Sequence, residues 1–368
     1  MNTQLLQGLN FTVGPSKLYD GVAENFKKNI EKGYGSLSHR SEFFSDISQK
    51  SLDDCRNFFN IPDNYKIFYT YSATESLELS IRALITKKSI HFVNGTFGWV
   101  WANLARKNGK KVVVKEEIFG KRTPLEISDI EKKNNNVDLI CITANETSSG
   151  IAYSSDEIKN FSHTLSNNTL LAIDVTSSMG ALSYDFSSAD IWAFSVQKAM
   201  GLPAGLGLIV LSPQAYKKGL ERESEENEAG MHHSFSALEK KMNRTFQTPT
   251  TPNILGILSF AFICNRFLES FHSIKKSEQN TKKKAIFLYD FFDNHKEFKP
   301  FIVDKKSRSE TIIVIEGTLE KIRKKKKELI KNNVLVGNGY GLNKETQIRI
   351  SNFPVHTLED MKKLVTFF

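Results

Sequence analysis

The sequence predicts an α/β protein: a large domain built on a mostly parallel sheet with helices on both faces, then a smaller α+β domain. Three observations carry this. Between residues 66 and 211, short apolar runs alternate with amphipathic segments of helical period. Runs such as Asp138–Thr143 (DLICIT) and Leu170–Val175 (LLAIDV) lack the polar alternation of a half-exposed strand and read as buried on both faces. After Pro252 that rhythm stops and two long helical segments follow.

Each element has its own warrant. Lys66–Tyr71 (KIFYTY) is a strand, rich in aromatics. Thr74–Ile85 is a helix with Leu77, Ile81, Leu84 and Ile85 on one face. Ser89–Asn94 is a buried strand, Phe97–Asn108 a helix, Lys111–Lys115 a strand and Pro124–Lys133 a helix. The helix at Ser155–Leu165 opens on Ser154 or Ser155 as cap. Strands at Ile191–Val196 and Gly207–Leu211 complete the large domain, set at residues 15–255. The small domain, 256–368, takes the ends of helices at Asn253–Phe271 and Ile274–His295 and strands near Phe298–Val303 and Thr311–Glu316. A lysine-rich helix at Leu319–Lys331, a strand at Gln347–Ile350 and a closing helix at Leu358–Phe367 follow, with residues 1–14 expected to pack on this domain.

Composition narrows the function classes. With 40% hydrophobic and 25% charged residues over 368 positions, the chain reads as an ordinary soluble globular protein. The three cysteines, Cys55, Cys141 and Cys264, have the spacing of neither a disulfide framework nor a metal knuckle, so no metal is expected and a reducing cytoplasm fits. The first residues show no secretory signal, and the longest apolar run, Ile254–Cys264, is too short to span a bilayer. The formal charge is +9, and KIRKKKKELIKN near residue 327 is its densest patch. Acidic residues are interspersed and no nucleic-acid motif is present, so the patch reads as a solvated helix face rather than a nucleic-acid or membrane surface.

In an α/β sheet, ligands bind at the carboxyl ends of the strands. Thr74, Thr147, Asp174, Gln197 and Lys198 all fall at such ends. Asp174 closes the apolar run in AIDVTSS, and Lys198 follows 24 residues later in FSVQKAMGLPAGLG, between a strand and a Gly/Pro-rich turn. Taken singly, each has a plainer reading, a loop lysine and a turn aspartate. Together they are the pair that pyridoxal 5′-phosphate requires: an amine to hold the cofactor as a Schiff base, and an acid to keep its ring nitrogen protonated.

Six segments in register extend the case: FTVGPSKL, LSHRSEFF, NGTFGWVWA at 94–102, NETSSGI at 145–151, QTPTTPN at 247–253 and QIRISN at 347–352. With the lysine segment they resemble the class V aminotransferases of fold type I, along nearly the whole chain. The phosphoserine branch is the most similar. The resemblance implies the fold type I architecture, with a seven-stranded sheet in the large domain. It implies that Lys198 binds the cofactor and moves the proton between substrate and cofactor, and that Asp174 pairs with the pyridinium nitrogen. Thr147 would bond the phenolic oxygen, and Phe97 would stack on the ring. Trp99 and Trp101 lie close by, and many relatives carry tryptophan at this place. The cofactor phosphate would sit at the helix start near Ala73 and Thr74, with Ser177 and Gln197 adding contacts. This chain has Tyr71-Ser72-Ala73 where relatives often carry glycine.

The resemblance also implies a homodimer with shared sites, because Thr248 would reach the phosphate of the partner subunit. Gln247 stands before it where relatives have asparagine. Arg349 would bind the substrate α-carboxylate, and His39 and Arg40 its distal phosphate or carboxylate. His232 and His233, in GMHHSFS, could approach the site. The implied reaction is transamination of 3-phosphoserine with 2-oxoglutarate. The runner-up is a small neutral amino acid such as serine or alanine with pyruvate or glyoxylate, which the NGTFGW and GLPAGLG segments favour. A cysteine desulfurase would need a thiol on a mobile loop, and none of the three cysteines is so placed. A non-catalytic binding protein of the same fold would not need Lys198 and Asp174 intact.

Overall fold

The computed structural model describes residues 8–127, 137–225 and 233–368. Seven strands form the central sheet: β2 (Lys66–Thr70), β3 (Lys88–Val93), β4 (Lys111–Glu116), β5 (Leu139–Thr143), β6 (Leu170–Asp174), β7 (Ile191–Ser195) and β8 (Gly207–Leu211). Their order is β2-β8-β7-β6-β5-β3-β4, and every pairing is parallel except those that β8 makes with its two neighbours. Every residue of β5, β6, β7 and β8 is buried, which is why these runs carry no polar alternation.

Helices cover this sheet. Chain order gives α1 (Val22–Glu31), α2 (Glu42–Phe59), α3 (Ala73–Leu84), α4 (Thr96–Lys107), α5 (Ser155–Ser162), α6 (Pro213–Glu225), the short α7 (Phe235–Leu238) and α8 (Ile254–Phe271). By length and composition alone, α8 could cross a membrane. The apolar run itself ends at Cys264, and Asn265, Arg266 and Glu269 follow it within the same helix. The helix packs instead against α2, burying Ile257, Phe260, Ile263 and Phe267 in the core of the large sheet.

A second sheet has the order β1-β11-β12-β10-β9, from β1 (Leu9–Phe11), β9 (Lys299–Pro300), β10 (Ile312–Glu316), β11 (Val334–Asn338) and β12 (Gln347–Ser351). The N-terminal strand β1 lies parallel to β11 at its edge. Helices α9 (Ile274–Asn294), α10 (Leu319–Lys331) and α11 (Leu358–Val365) accompany this sheet. Its own core contains Phe11, Leu288, Phe292, Ile348 and Leu364. Strand β10 joins the two cores through its pleat. Ile312 and Val314 pack into the large one, and Ile313 and Ile315 into the small one.

Three expectations need correction. Residues 124–127 are irregular, and the rest of the helix set at Pro124–Lys133 lies outside the described residues. The strand near Phe298–Val303 shortens to two residues, because only Lys299 and Pro300 pair with β10. Strands β1 and β11 and helices α1, α2 and α6 had no counterpart in the reading of the sequence. The lysine-rich α10 buries only Ile322 and Leu329, and its cations find exposed partners, Lys321 with Glu297 at 3.2 Å and Arg323 with Glu345 at 3.2 Å. Such pairs contribute little to stability and mark a solvated face.

Candidate active site

Strands β5, β6 and β7 lie side by side, with Thr143 opposite Asp174 and Asp174 opposite Ala193. The turns that leave their carboxyl ends bring three side chains together. Lys198 Nζ donates to Thr147 Oγ1 at 2.6 Å and to Ser177 Oγ at 3.2 Å, and the two hydroxyls hydrogen-bond each other. The ring centroid of Phe97, in the first turn of α4, lies 4.5 Å from Nζ. Lys198 is only 8% exposed. Burial therefore pushes its pKa down from 10.5 to about 8, against the pull of Asp174 and Glu146 and with some help from Arg349. A buried amine near neutrality is a nucleophile and a base, not a surface charge.

The surroundings fix these groups. Asp174 Oδ1 accepts from the Thr176 amide at 2.9 Å and from its hydroxyl at 2.6 Å, which orients the carboxylate at the strand end. From the N-terminal segment, Ser16 donates its amide to Gln197 O at 3.0 Å and its hydroxyl to Lys198 O at 2.7 Å. Gly14 adopts φ 149°, and a Cβ there would stand 3.2 Å from Lys198 Cε, so glycine leaves room for the lysine stem. Arg349 reaches in from β12. Its Nε donates to Asn338 O at 2.6 Å and its Nη1 to Thr147 O at 2.9 Å. The guanidinium also lies 5.3 Å from the ring centroid of Tyr340, which in turn is 5.8 Å from that of Phe97. Burial works against the Arg349 charge, while Tyr340 and Glu146 favour it.

The phosphate end differs from expectation. The Ala73 amide at the start of α3 is already donated to Ser195 Oγ at 2.6 Å, and Thr74 is exposed. Ser177 has its hydroxyl on Thr147 and Lys198 rather than at this helix, where Ser195 meets the Ala73 amide. Gln197 is half-buried beside Lys198. Of the aromatic candidates, Trp101 is buried in the core against His91, and Trp99 donates to Glu116 at 2.7 Å. That leaves Phe97 facing the amine.

A second cluster forms apart from these bonds. Arg40 donates to Thr248 O at 2.7 Å and Pro249 O at 2.9 Å, and Gln247 Nε2 returns a bond to Arg40 O at 3.3 Å. Thr248 is buried, with its hydroxyl on Thr250 O at 2.7 Å. Partial burial, with Arg40 and Lys241 nearby, lowers the proton affinity of His39. His233 stacks on Tyr71 with ring centroids 5.3 Å apart and pairs with Glu75. Tyr71 reaches Thr250 Oγ1 at 3.1 Å, so His233 belongs to this second cluster. His232 lies outside the described residues.

Reading the sequence missed Ser195, Glu146 and Tyr340. Ser195 ends the strand that precedes Lys198, and Glu146 sits inside NETSSG, so both carried a positional signal. Tyr340 carried none.

Comparison with known proteins agrees along the chain. The family model described as Aminotransferase class-V matches residues 9–364. A phosphoserine aminotransferase from Rhodococcus opacus (strain B4) is 28% identical over 363 residues, covering 96% of this chain and 92% of that one. A serine–glyoxylate aminotransferase from Methylorubrum extorquens is 27% identical over 254 residues, covering 66% of this chain and 60% of its own. The crystal structure of a phosphoserine aminotransferase from Cytophaga hutchinsonii superposes with a TM-score of 0.91 at 33% identity, covering 98% of both chains. With a mostly parallel sheet that carries a buried lysine beyond its strand ends, and a match over almost its whole length, the chain belongs to the class-V aminotransferase family.

Proposed function

We propose that this aminotransferase exchanges the amino group between 3-phosphoserine and 2-oxoglutarate, a reversible ping-pong reaction of serine biosynthesis, with Lys198 and Asp174 as its catalytic pair. The observation that carries the reading is the buried Lys198 amine, held by Thr147 and Ser177, faced by Phe97 and within the field of Asp174.

The cofactor is pyridoxal 5′-phosphate, and the donor set fits it. An amine with a pKa near 8 is partly unprotonated at neutral pH, the state that reacts with an aldehyde. A carboxylate at a strand end suits a ring nitrogen. The start of α3 has the dipole sign that suits an anion, with its Ala73 and Glu75 amides bonded to the hydroxyls of Ser195 and Ser72. When bound, the cofactor supplies the aldehyde that captures an amino group and a protonated ring that draws electrons from the substrate α-carbon. The protein's own residues do the rest. Lys198 Nζ takes the proton from the α-carbon and delivers it at the other end of the exchange. Asp174 would keep the ring nitrogen protonated. Phe97 would pack on the ring, and Thr147 would offer it a hydroxyl. Arg349, held from behind by two carbonyls, still has most of its five N–H groups to receive the α-carboxylate.

The substrate assignment is supported by the near full-length likeness to proteins named phosphoserine aminotransferase. His39 and Arg40 would hold the distal anion and Thr248 the cofactor phosphate. No hydrogen bond among the described residues joins Arg40 or Thr248 to Lys198, Thr147 or Ser177, so they would serve the site of a second copy in a homodimer. A cytoplasmic location fits the three free, buried cysteines. The partial likeness to a serine–glyoxylate aminotransferase supports the alternative, a small neutral donor with glyoxylate or pyruvate. Half-reaction spectroscopy separates the two. Phosphoserine and glutamate should each convert the bound chromophore, whereas serine and alanine should not. Conversion by serine or alanine, with phosphoserine inert, would give the alternative the case.

A further inference from the structure

Glu146 is a carboxylate with no exposed surface and, among the described residues, no direct ion pair, Lys198 and Arg349 acting on it only from further off. Burial without a cation is costly unless hydrogen bonds replace water. Four do so. Oε2 accepts from the amides of Phe97 and Gly98, both at 3.1 Å, and Oε1 accepts from the Ser148 amide at 3.0 Å and its hydroxyl at 2.6 Å. Ser148 Oγ in turn accepts from the Thr96 amide at 2.9 Å. Three successive amides at the start of α4 are therefore capped by another loop. The N-cap position, Gly95, has no side chain to do so. The approach is close. A Cβ on Gly95 would stand 2.4 Å from Ser148 Oγ and 2.8 Å from Glu146 Cγ.

The clamp joins two pieces of the site. Phe97 sits on the capped helix, and Thr147 sits between the two capping residues, with its hydroxyl on Lys198 and its carbonyl on Arg349. We infer that Glu146 is the positioning residue of the site, setting the spacing between the Phe97 ring and the Lys198 amine by tying the helix of one to the turn of the other. Its negative charge also lies near enough to Lys198 to favour the protonated amine. The inference rests on the assignment of Lys198 as the cofactor lysine.

Glu146→Gln keeps the shape but turns a donor toward amides that are themselves donors. In protein loaded with pyridoxal phosphate, this variant should lower kcat by about 30- to 100-fold while KM for glutamate moves less than about threefold, since a shift of about an ångström at a reacting group has that scale. The visible circular dichroism of the bound cofactor should weaken in parallel, because the ring loses its fixed orientation. Ser148→Ala keeps the carboxylate and removes one cap. It should give a smaller fall in kcat, about three- to tenfold, with a partial loss of dichroism. A lowered Tm with native kcat and native dichroism in Glu146→Gln would mean a merely structural clamp and overturn the inference. If that variant does not fold, Ser148→Ala decides, and native values there overturn it as well. Wild-type protein that binds no chromophore would instead overturn the cofactor assignment, and the inference with it.

Discussion

The Lys198 pocket and the Arg40–Thr248 cluster carry comparable chemistry in opposite settings. In the first, a cation is buried, bonded to side chains and faced by a ring, and its proton affinity is far from ordinary. In the second, Arg40 is exposed, and it donates to two backbone carbonyls of a Pro-rich segment and, at 3.4 Å, to the neutral side chain of Gln247. A carbonyl satisfies a guanidinium without neutralising it, so Arg40 keeps its charge for an anion. The two settings suit different work. Lys198 and Asp174 stand where strands of the large sheet end, enclosed by their own chain. Arg40 lies on a loop with its guanidinium open to solvent, where an anion or a second chain can reach it.

Lys198 is the residue whose loss costs most. Lys198→Ala should abolish transamination, by at least about a thousandfold, while the circular dichroism of the backbone stays native. Turnover at the native rate would mean that another lysine does the work and that the buried pocket is only core.

A mixing experiment tests whether Thr248 serves a second chain. Lys198→Ala and Thr248→Ala are each expected to be nearly inactive alone. Mixed under exchange, they should recover up to about a quarter of native activity, because a hybrid dimer of C2 symmetry holds one intact site. Recovery of nothing, from proteins shown by sedimentation to exchange, would return Thr248 to its own chain. Arg40→Ala should act more narrowly. KM for phosphoserine should rise about tenfold to a hundredfold with kcat little changed, since a charge-assisted bond to a distal anion is lost. Equal loss on alanine and phosphoserine would remove Arg40 from substrate recognition.

The two regions also differed in how far they could be read beforehand. The buried strands announced themselves through unbroken apolar runs, and Asp174 and Lys198 through their position at strand ends. Helix α2 did not, because two positions on its buried face are Ser48 and Ser51, which interrupt the apolar stripe. Strand β1 has three residues, and its pairing partner lies more than three hundred positions away, beyond any local pattern. The site was legible at residue types fixed by chemistry and blurred at hydroxyls. Ser177 and Ser195 both end up near the pocket, but only tertiary geometry tells which one meets the lysine and which one the α3 amide. Tyr340 lies in a Gly/Asn-rich loop whose composition gives no hint of the arginine it covers.

The smallest expected effect follows from the proton affinity of Lys198 in protein stripped of cofactor. Its pKa is near 10.5 unfolded and about 8 folded, with burial as the main cause. Below pH 8 both states carry the proton, and the folded state bears the full cost of a buried ammonium. Between pH 8 and 10.5 the unfolded chain binds a proton that the folded chain does not, so stability must rise with pH across that window. The gain is on the order of 3 kcal/mol at most. Lys198→Met has no such group to titrate. The Tm difference, Lys198→Met minus wild type, should therefore be positive at pH 7.5 and shrink steadily by pH 10. Buried Tyr69, Tyr153 and Tyr184 titrate above this range in the folded state and are common to both proteins. A difference that stays flat from pH 7.5 to 10 would mean that Lys198 titrates like an exposed lysine, and the contrast between the two regions would lose its electrostatic basis.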